Sequence, residues 1–262
     1  MSSSADDARG IVVKTTPVRE SDLVVQLYTD AHGKLSGIAR GARSSRRRFA
    51  GALQLLVLAR YGLARPRRGD LWSIERAEIE REWTSVAADV VAHAHAAYVV
   101  ELVGALLPPE APDPHALAIV VAAWDSLSDA GPSPGALRAA ELELLDLVGH
   151  RPALDACAAC GATDVDTGGV FDPSRGGVIC RRCAARSRGP GVRPLDAGAL
   201  AYLRAVAAAP TLADARALDA DARFAPADRI AGRDALVAMI GGLVARPLRA
   251  LEYMAKLAGK KS

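Results

Sequence analysis

The sequence holds four cysteines, in two pairs of identical spacing: Cys157-Ala-Ala-Cys160 and Cys180-Arg-Arg-Cys183. The complete pattern, C-x2-C-x19-C-x2-C, falls in the range used by four-thiolate zinc sites. Two residues between paired sulfurs let each pair sit on a tight turn and face one tetrahedral ion at about 2.3 Å. Gly161 relieves the backbone after the first pair, and Gly168, Gly169, Gly176 and Gly177 supply turns for a small ribbon between the pairs. That ribbon has little apolar sequence, so metal binding would contribute to its folding energy. Two disulfides or buried free thiols fit the same residues. The opening residues, Met1-Ser-Ser-Ser-Ala-Asp-Asp7, are polar and acidic, and no stretch approaches the ~20 apolar residues of a membrane span. The expectation is a cytoplasmic, nucleoid-associated chain with no membrane partner. In that reducing setting the spacing favours one structural Zn²⁺ held by Cys157, Cys160, Cys180 and Cys183. Four thiolates fill the tetrahedron and leave no position for a reacting water. A redox role lacks a thioredoxin-like context, and the H-x-E motif of nucleobase deaminases is missing at His93 and His32.

The chain changes period at Trp83. Before it, Gly10–Thr16, Leu23–Thr29, Lys34–Ala42, Leu53–Leu63 and Leu71–Ile79 read as short strands separated by turn-prone pieces. In the fourth run Leu53, Leu55, Val57, Ala59, Tyr61 and Leu63 share one face, with a mixed face opposite. Five short strands in so few residues suit a small closed sheet such as an OB barrel. After Trp83 the pattern is helical. Thr84 or Ser85 is the expected cap of a first helix that ends before Pro108. A second helix is expected over Pro114–Ala130, and a third through Leu137 to Val148, closed by Gly149. Asp228–Leu257 reads as helix apart from a kink or break near Arg246-Pro247. The fold class is therefore α+β, with a barrel over 1–82 and an all-α domain over 83–262. The zinc module is embedded at about 154–188.

Charge is distributed unevenly. The formal net charge is only +3, yet no acidic residue occurs between Asp30 and Asp70. That interval carries Lys34, Arg40, Arg43, Arg46, Arg47, Arg48, Arg60, Arg65, Arg67 and Arg68. Such a concentration is the footprint of a polyanion partner, although an Arg-rich proteome supplies solvated arginine loops too. The densest run, Arg40 to Arg48, falls between two expected strands. Lys34 and Arg40 alternate onto one face of the third, and together these groups can neutralise phosphates along a groove. Gly41, Ser44 and Ser45 would allow close backbone approach or further hydrogen bonds. Phe49, Tyr61 and Trp72 are the aromatic candidates for base stacking, any of them also suits the core, and Tyr61 faces the same side as Leu53 and Val57, which points to burial. Binding should then rest mainly on phosphates and depend strongly on salt.

No nucleotide-binding glycine loop, nucleophile elbow or H-E-x-x-H helix is present, and the five histidines are scattered. Glu75, Glu78, Glu80 and Glu82 read as a solvated charge run. An enzyme is not expected.

Four segments carry a resemblance: Gly10 to Asp22, Val24 to Ser36, Ala39 to Arg43, and Phe171 to Cys180. In residue types and order they resemble the bacterial DNA repair family RecO, from residue 10 to about 185. The resemblance implies an OB-fold barrel followed by a helical domain with a four-cysteine zinc module. It implies binding of single- and double-stranded DNA, annealing of complementary strands, and help in loading RecA onto strands coated by single-strand-binding protein, together with RecR. The C-terminal tail of single-strand-binding protein is the implied contact of the helical domain. The family's basic barrel surface maps onto Lys34, Arg40, Arg43 and Arg46 to Arg48, with Arg65, Arg67 and Arg68 as a second patch. An RNA-binding OB/zinc-ribbon protein and a non-catalytic assembly scaffold remain as other readings.

Overall fold

The structure is a computed structural model and describes residues 6–45, 47–66 and 68–259. Five strands come first: β1 (Asp6–Pro17), β2 (Leu23–Thr29), β3 (Gly33–Ala39), β4 (Val57–Ala64) and β5 (Trp72–Glu82). They close into a barrel in the order β1-β2-β3-β5-β4, with β4 returning to β1. The pairs are antiparallel except β3 with β5, which meet in parallel at Gly37 and Ile38. This is the closed sheet expected from the strand count.

Alternation fills the barrel. Val57, Ala59, Tyr61 and Leu63 of β4 point inward with Val25, Leu27, Leu35, Trp72 and Ile74. The fourth strand starts later than its apolar run because Ala50 and Leu56 adopt positive φ, which takes residues 49–56 out of extended geometry. Phe49 and Ala52 from that segment plug the core, and the Tyr61 hydroxyl donates to the Ala52 carbonyl at 3.1 Å. Phe49, Tyr61 and Trp72 are thus all buried, so none is available to stack on a base.

The helices are α1 (Thr84–Ala88), α2 (Val90–Leu106), α3 (Pro114–Ala130), α4 (Pro134–Leu147), α5 (Arg181–Ala184), α6 (Ala197–Ala208), α7 (Leu212–Ala217), α8 (Pro226–Leu243) and α9 (Arg249–Gly259). The first long helix starts later than its expected cap. Asp89, not Thr84 or Ser85, accepts from the N–H groups of Val91 and Ala92 and so interrupts the run after α1. The expected second helix is α3, with Asp113 as cap and Pro114 in its first turn. The expected break near Pro247 separates α8 from α9.

Packing divides the chain into two compact units, residues 1–131 with 249–262, and residues 132–248. In the first, the barrel carries α1 to α3 and α9. Tyr28 meets Asp113 through its hydroxyl, which lies 3.1 Å from both the backbone N–H and the carbonyl of that residue. The Trp83 indole donates to Asp125 at 2.7 Å and packs edge-on against Trp124. In the second unit, α6 and α8 pack on a three-stranded sheet of order β7-β6-β8, made of β6 (Gly168–Asp172), β7 (Gly177–Cys180) and β8 (Arg193–Asp196), while α4 packs on α6, α7 and α8. Asp219 accepts from the Ser133 hydroxyl at 2.6 Å and the Gly135 N–H at 2.8 Å, fixing the start of α4. A buried Arg138–Glu141 ion pair at 2.6 Å lies within α4.

Candidate nucleic-acid interface and metal centre

β2 fixes where the basic groups stand. Its seven residues span about 20 Å, with the β1–β2 turn at one end and the β2–β3 turn at the other. The segment after β3 belongs to the first end: the Arg43 N–H donates to the Ser21 carbonyl at 3.0 Å and its guanidinium to the Glu20 carbonyl at 3.1 Å. Arg40, Arg43, Arg47 and Arg48 are exposed there. Arg46 and Arg67 lie outside the described residues. The β4–β5 loop belongs to the second end, because Arg65 stacks on Trp72, whose indole also meets the His32 ring of the β2–β3 turn at 4.8 Å. Arg65 therefore stands at the opposite end of β2 from Arg43.

Ion pairing sorts the arginines further. On the β1–β4–β5 surface Glu80 bridges Arg9 at 2.7 Å and Arg60 at 2.8 Å. Arg76 pairs with Asp7, and Arg81 with Asp125. One member of the β5 glutamate run, Glu80, is thus a cross-strand bridge between arginines on β4 and β1. Among the described residues, Arg40, Arg43, Arg47, Arg48, Arg65 and Arg68 pair with no carboxylate within 4 Å. Lys34 is set apart. Its ammonium donates to the Gly104 carbonyl at 2.7 Å, in the last turn of α2, where a cation also meets the negative end of the helix dipole. Burial lowers its pKa. Arg40 lies one residue beyond β3, so the two do not share a strand face.

The cysteines come together as their spacing requires. Cys157 opens a turn in which its own N–H donates to the Ala162 carbonyl and Gly161 donates back to its carbonyl, each at 2.8 Å. Gly161 has φ +73°, a conformation that a side chain would oppose. Cys180 ends β7 and Cys183 sits on α5. All four sulfurs lie within 4.8 Å of one another, and Cys160 and Cys180 are 3.9 Å apart. The edge of a tetrahedron built on ~2.3 Å metal–sulfur bonds is about 3.8 Å, so the donor set fits one ion. The thiols are free rather than bridged, which removes the disulfide reading. Burial pushes the Cys157 thiol up, but N–H groups of Cys180, Ala159 and Cys160 outweigh it and bring the pKa to about 6. The backbone at Cys183 likewise lowers Cys180. Hydrogen bonding with Cys160 and Cys180 pushes Cys183 up to about 12. Crowded sulfurs of this kind favour a shared cation.

Two functional features were not foreseen from sequence. One is the latch formed by Lys34. The other is Asp22, a buried acid beneath the arginine segment, whose only sequence signal is its place in a turn-prone run. Among the described residues, no helix is long and apolar enough to cross a membrane.

Comparison with known proteins agrees with this architecture. Residues 1–83 match the family described as "Recombination protein O N terminal", and residues 87–252 match "Recombination protein O C terminal". The DNA repair protein RecO of Anaeromyxobacter dehalogenans (strain 2CP-C) is 38% identical over 249 residues, covering 94% of each chain. That of Symbiobacterium thermophilum is 36% identical over 255 residues, again 94% of each. That of Anaeromyxobacter sp. (strain K) is 40% identical over 198 residues, 74% of this chain and 76% of the relative. With both terminal regions of the family matched and this identity along nearly its whole length, the chain belongs to the RecO family.

Proposed function

We propose that this protein is a non-enzymatic DNA-binding mediator of recombinational repair, acting in the cytoplasm at the nucleoid. The carrying observation is the set of exposed arginines that have no carboxylate partner among the described residues, Arg40, Arg43, Arg47 and Arg48, in the segment that follows β3. Elsewhere on the barrel Arg9, Arg60, Arg76 and Arg81 are neutralised by acids. Phosphates are the partner that such uncompensated guanidiniums suit, and the burial of the aromatic candidates favours backbone contact over base reading. Arg46 completes this group by sequence. Arg65 stands at the other end of β2 with Arg68 in the same loop, Arg67 joins them by sequence alone, and Lys34 serves the barrel–helix contact instead of a phosphate. The functional division is a DNA-binding barrel over 1–82 and a helical domain over 83–262.

Family membership supports the finer roles: binding single- and double-stranded DNA, annealing complementary strands, and loading RecA with RecR onto strands coated by single-strand-binding protein, whose C-terminal tail docks on the helical domain. The four cysteines hold one structural Zn²⁺, a d¹⁰ ion content with four thiolates and without redox chemistry.

The test is annealing of complementary oligonucleotides precoated with single-strand-binding protein. The native chain accelerates it, and Arg40→Ala with Arg47→Ala removes most of the gain. Those two are the informative pair, because Arg43 and Arg48 also hold their own loop. Tight, salt-sensitive DNA binding without acceleration would leave a basic OB module and favour the RNA-binding or scaffold reading.

A further inference from the structure

One buried acid lies beneath the arginine segment. Asp22, in the β1–β2 turn, is 8% exposed and accepts the Gly41 N–H at 2.8 Å. Its other oxygen is 3.9 Å from Arg19. Gly41 has φ +66°, and its carbonyl in turn accepts from the N–H groups of Ser44 and Ser45. The Ser45 hydroxyl accepts from the Arg48 N–H at 3.1 Å, and the Arg48 guanidinium closes back on the Arg40 carbonyl at 2.7 Å. The Arg48 carbonyl accepts from Ala77 on β5 at 2.8 Å, which ties the far side of the segment to the barrel wall.

A continuous series of hydrogen bonds therefore starts at the Asp22 carboxylate and passes through Gly41 and Ser45 to Arg48. By charge alone, a carboxylate here opposes a polyanion, since it cancels one of the surrounding positive charges. By geometry it acts the other way. A loop whose backbone is already fixed loses less conformational freedom when phosphates arrive.

We propose that Asp22 is a positioning residue: its carboxylate holds Gly41 and so sets the spacing of Arg40, Arg43 and Arg48 presented to DNA. The inference rests on the DNA-binding reading above. Charge and position predict opposite signs, which makes the proposal testable in the full-length protein. Amide exchange at Gly41 and Arg43 reports the loop, and titration of an oligothymidine strand at several salt concentrations reports binding.

Asp22→Ala is expected to raise exchange at Gly41 about tenfold and to weaken DNA binding several-fold, despite the gain of one positive charge. Asp22→Asn retains a carbonyl acceptor, so its exchange stays near native and its DNA affinity is equal or higher. Asp22→Glu keeps the charge but displaces the acceptor by a methylene, so it should resemble the alanine variant in both readouts. The glutamate variant decides the matter if Asp22→Ala unfolds the barrel, which would show as lost protection at Leu27 and Tyr61. Tighter binding in both neutral variants with native exchange at Gly41 would overturn the proposal and leave Asp22 as a charge only. Raised exchange in Asp22→Ala and Asp22→Glu, with no DNA binding by any form including the native one, would uphold the loop role while the DNA-binding reading fails.

Discussion

Arg40 and Lys34 show how little a side chain's charge says about its work until its surroundings are known. Both stand in an interval without acids, and both carry a full positive charge. Lys34 is spent on the Gly104 carbonyl, whereas Arg40 has no carboxylate within reach among the described residues. Replacement should separate them. Arg40→Ala or Arg47→Ala is expected to lower the slope of log affinity against log salt by about 0.7 to 0.9 each, the release accompanying one phosphate contact. Lys34→Met should leave that slope unchanged. It should instead cost about 1 kcal/mol in denaturant unfolding, from a lost hydrogen bond and a lost helix-end charge. A slope change for Lys34→Met equal to that of Arg40→Ala would return Lys34 to the DNA surface.

At the level of elements, long-range caps hold pieces that their own sequences do not. α9 begins without a side-chain cap of its own. Glu101 on α2 supplies one from far away in sequence, accepting the N–H of Arg249 at 3.0 Å and of Ala250 at 2.8 Å. A carboxylate at a helix N-terminus satisfies orphan donors and meets the positive end of the dipole, for about 1 kcal/mol. The apolar face of α9, with Leu251, Met254 and Leu257, is only half-buried, so the cap is a large share of what secures it. Glu101→Ala should therefore increase hydrogen exchange over 249–259 by about fivefold to tenfold, with little change in the barrel strands. Unaltered protection in α9 would mean that its apolar face suffices. The β5 glutamates make a related point. They read as solvated in one dimension, and β4 and β1 turn Glu80 into a bridge between two arginines.

For the whole molecule, the metal module concerns residues 132–248, whereas the basic segment belongs to the unit built on the barrel. Cys180→Ser, or removal of metal by a chelator, should destabilise that unit by several kcal/mol, about 3 or more, since metal-binding energy is folding energy in a segment with a small core. Affinity for DNA should stay within about twofold, because no cysteine contributes to the barrel's charge. Metal content and thermal unfolding check the first part, and a DNA titration checks the second. Loss of DNA binding in a folded Cys180→Ser protein would give the module a direct DNA role. By itself the sequence determined the four-cysteine cluster, the five strands and their change to helix at Trp83, and the interval of uncompensated charge. These follow from local spacing, period-two alternation and composition, which act over a few residues. Only the tertiary structure decided that Phe49 and Trp72 are core, that Lys34 is a latch, and that Arg43 and Arg65 stand at opposite ends of β2. It also decided that Asp22 lies under the arginines and that α9 is capped by Glu101. Each of these depends on partners distant in sequence, and the charge, reach and burial that define them exist only once barrel closure and helix packing bring those partners within hydrogen-bonding distance.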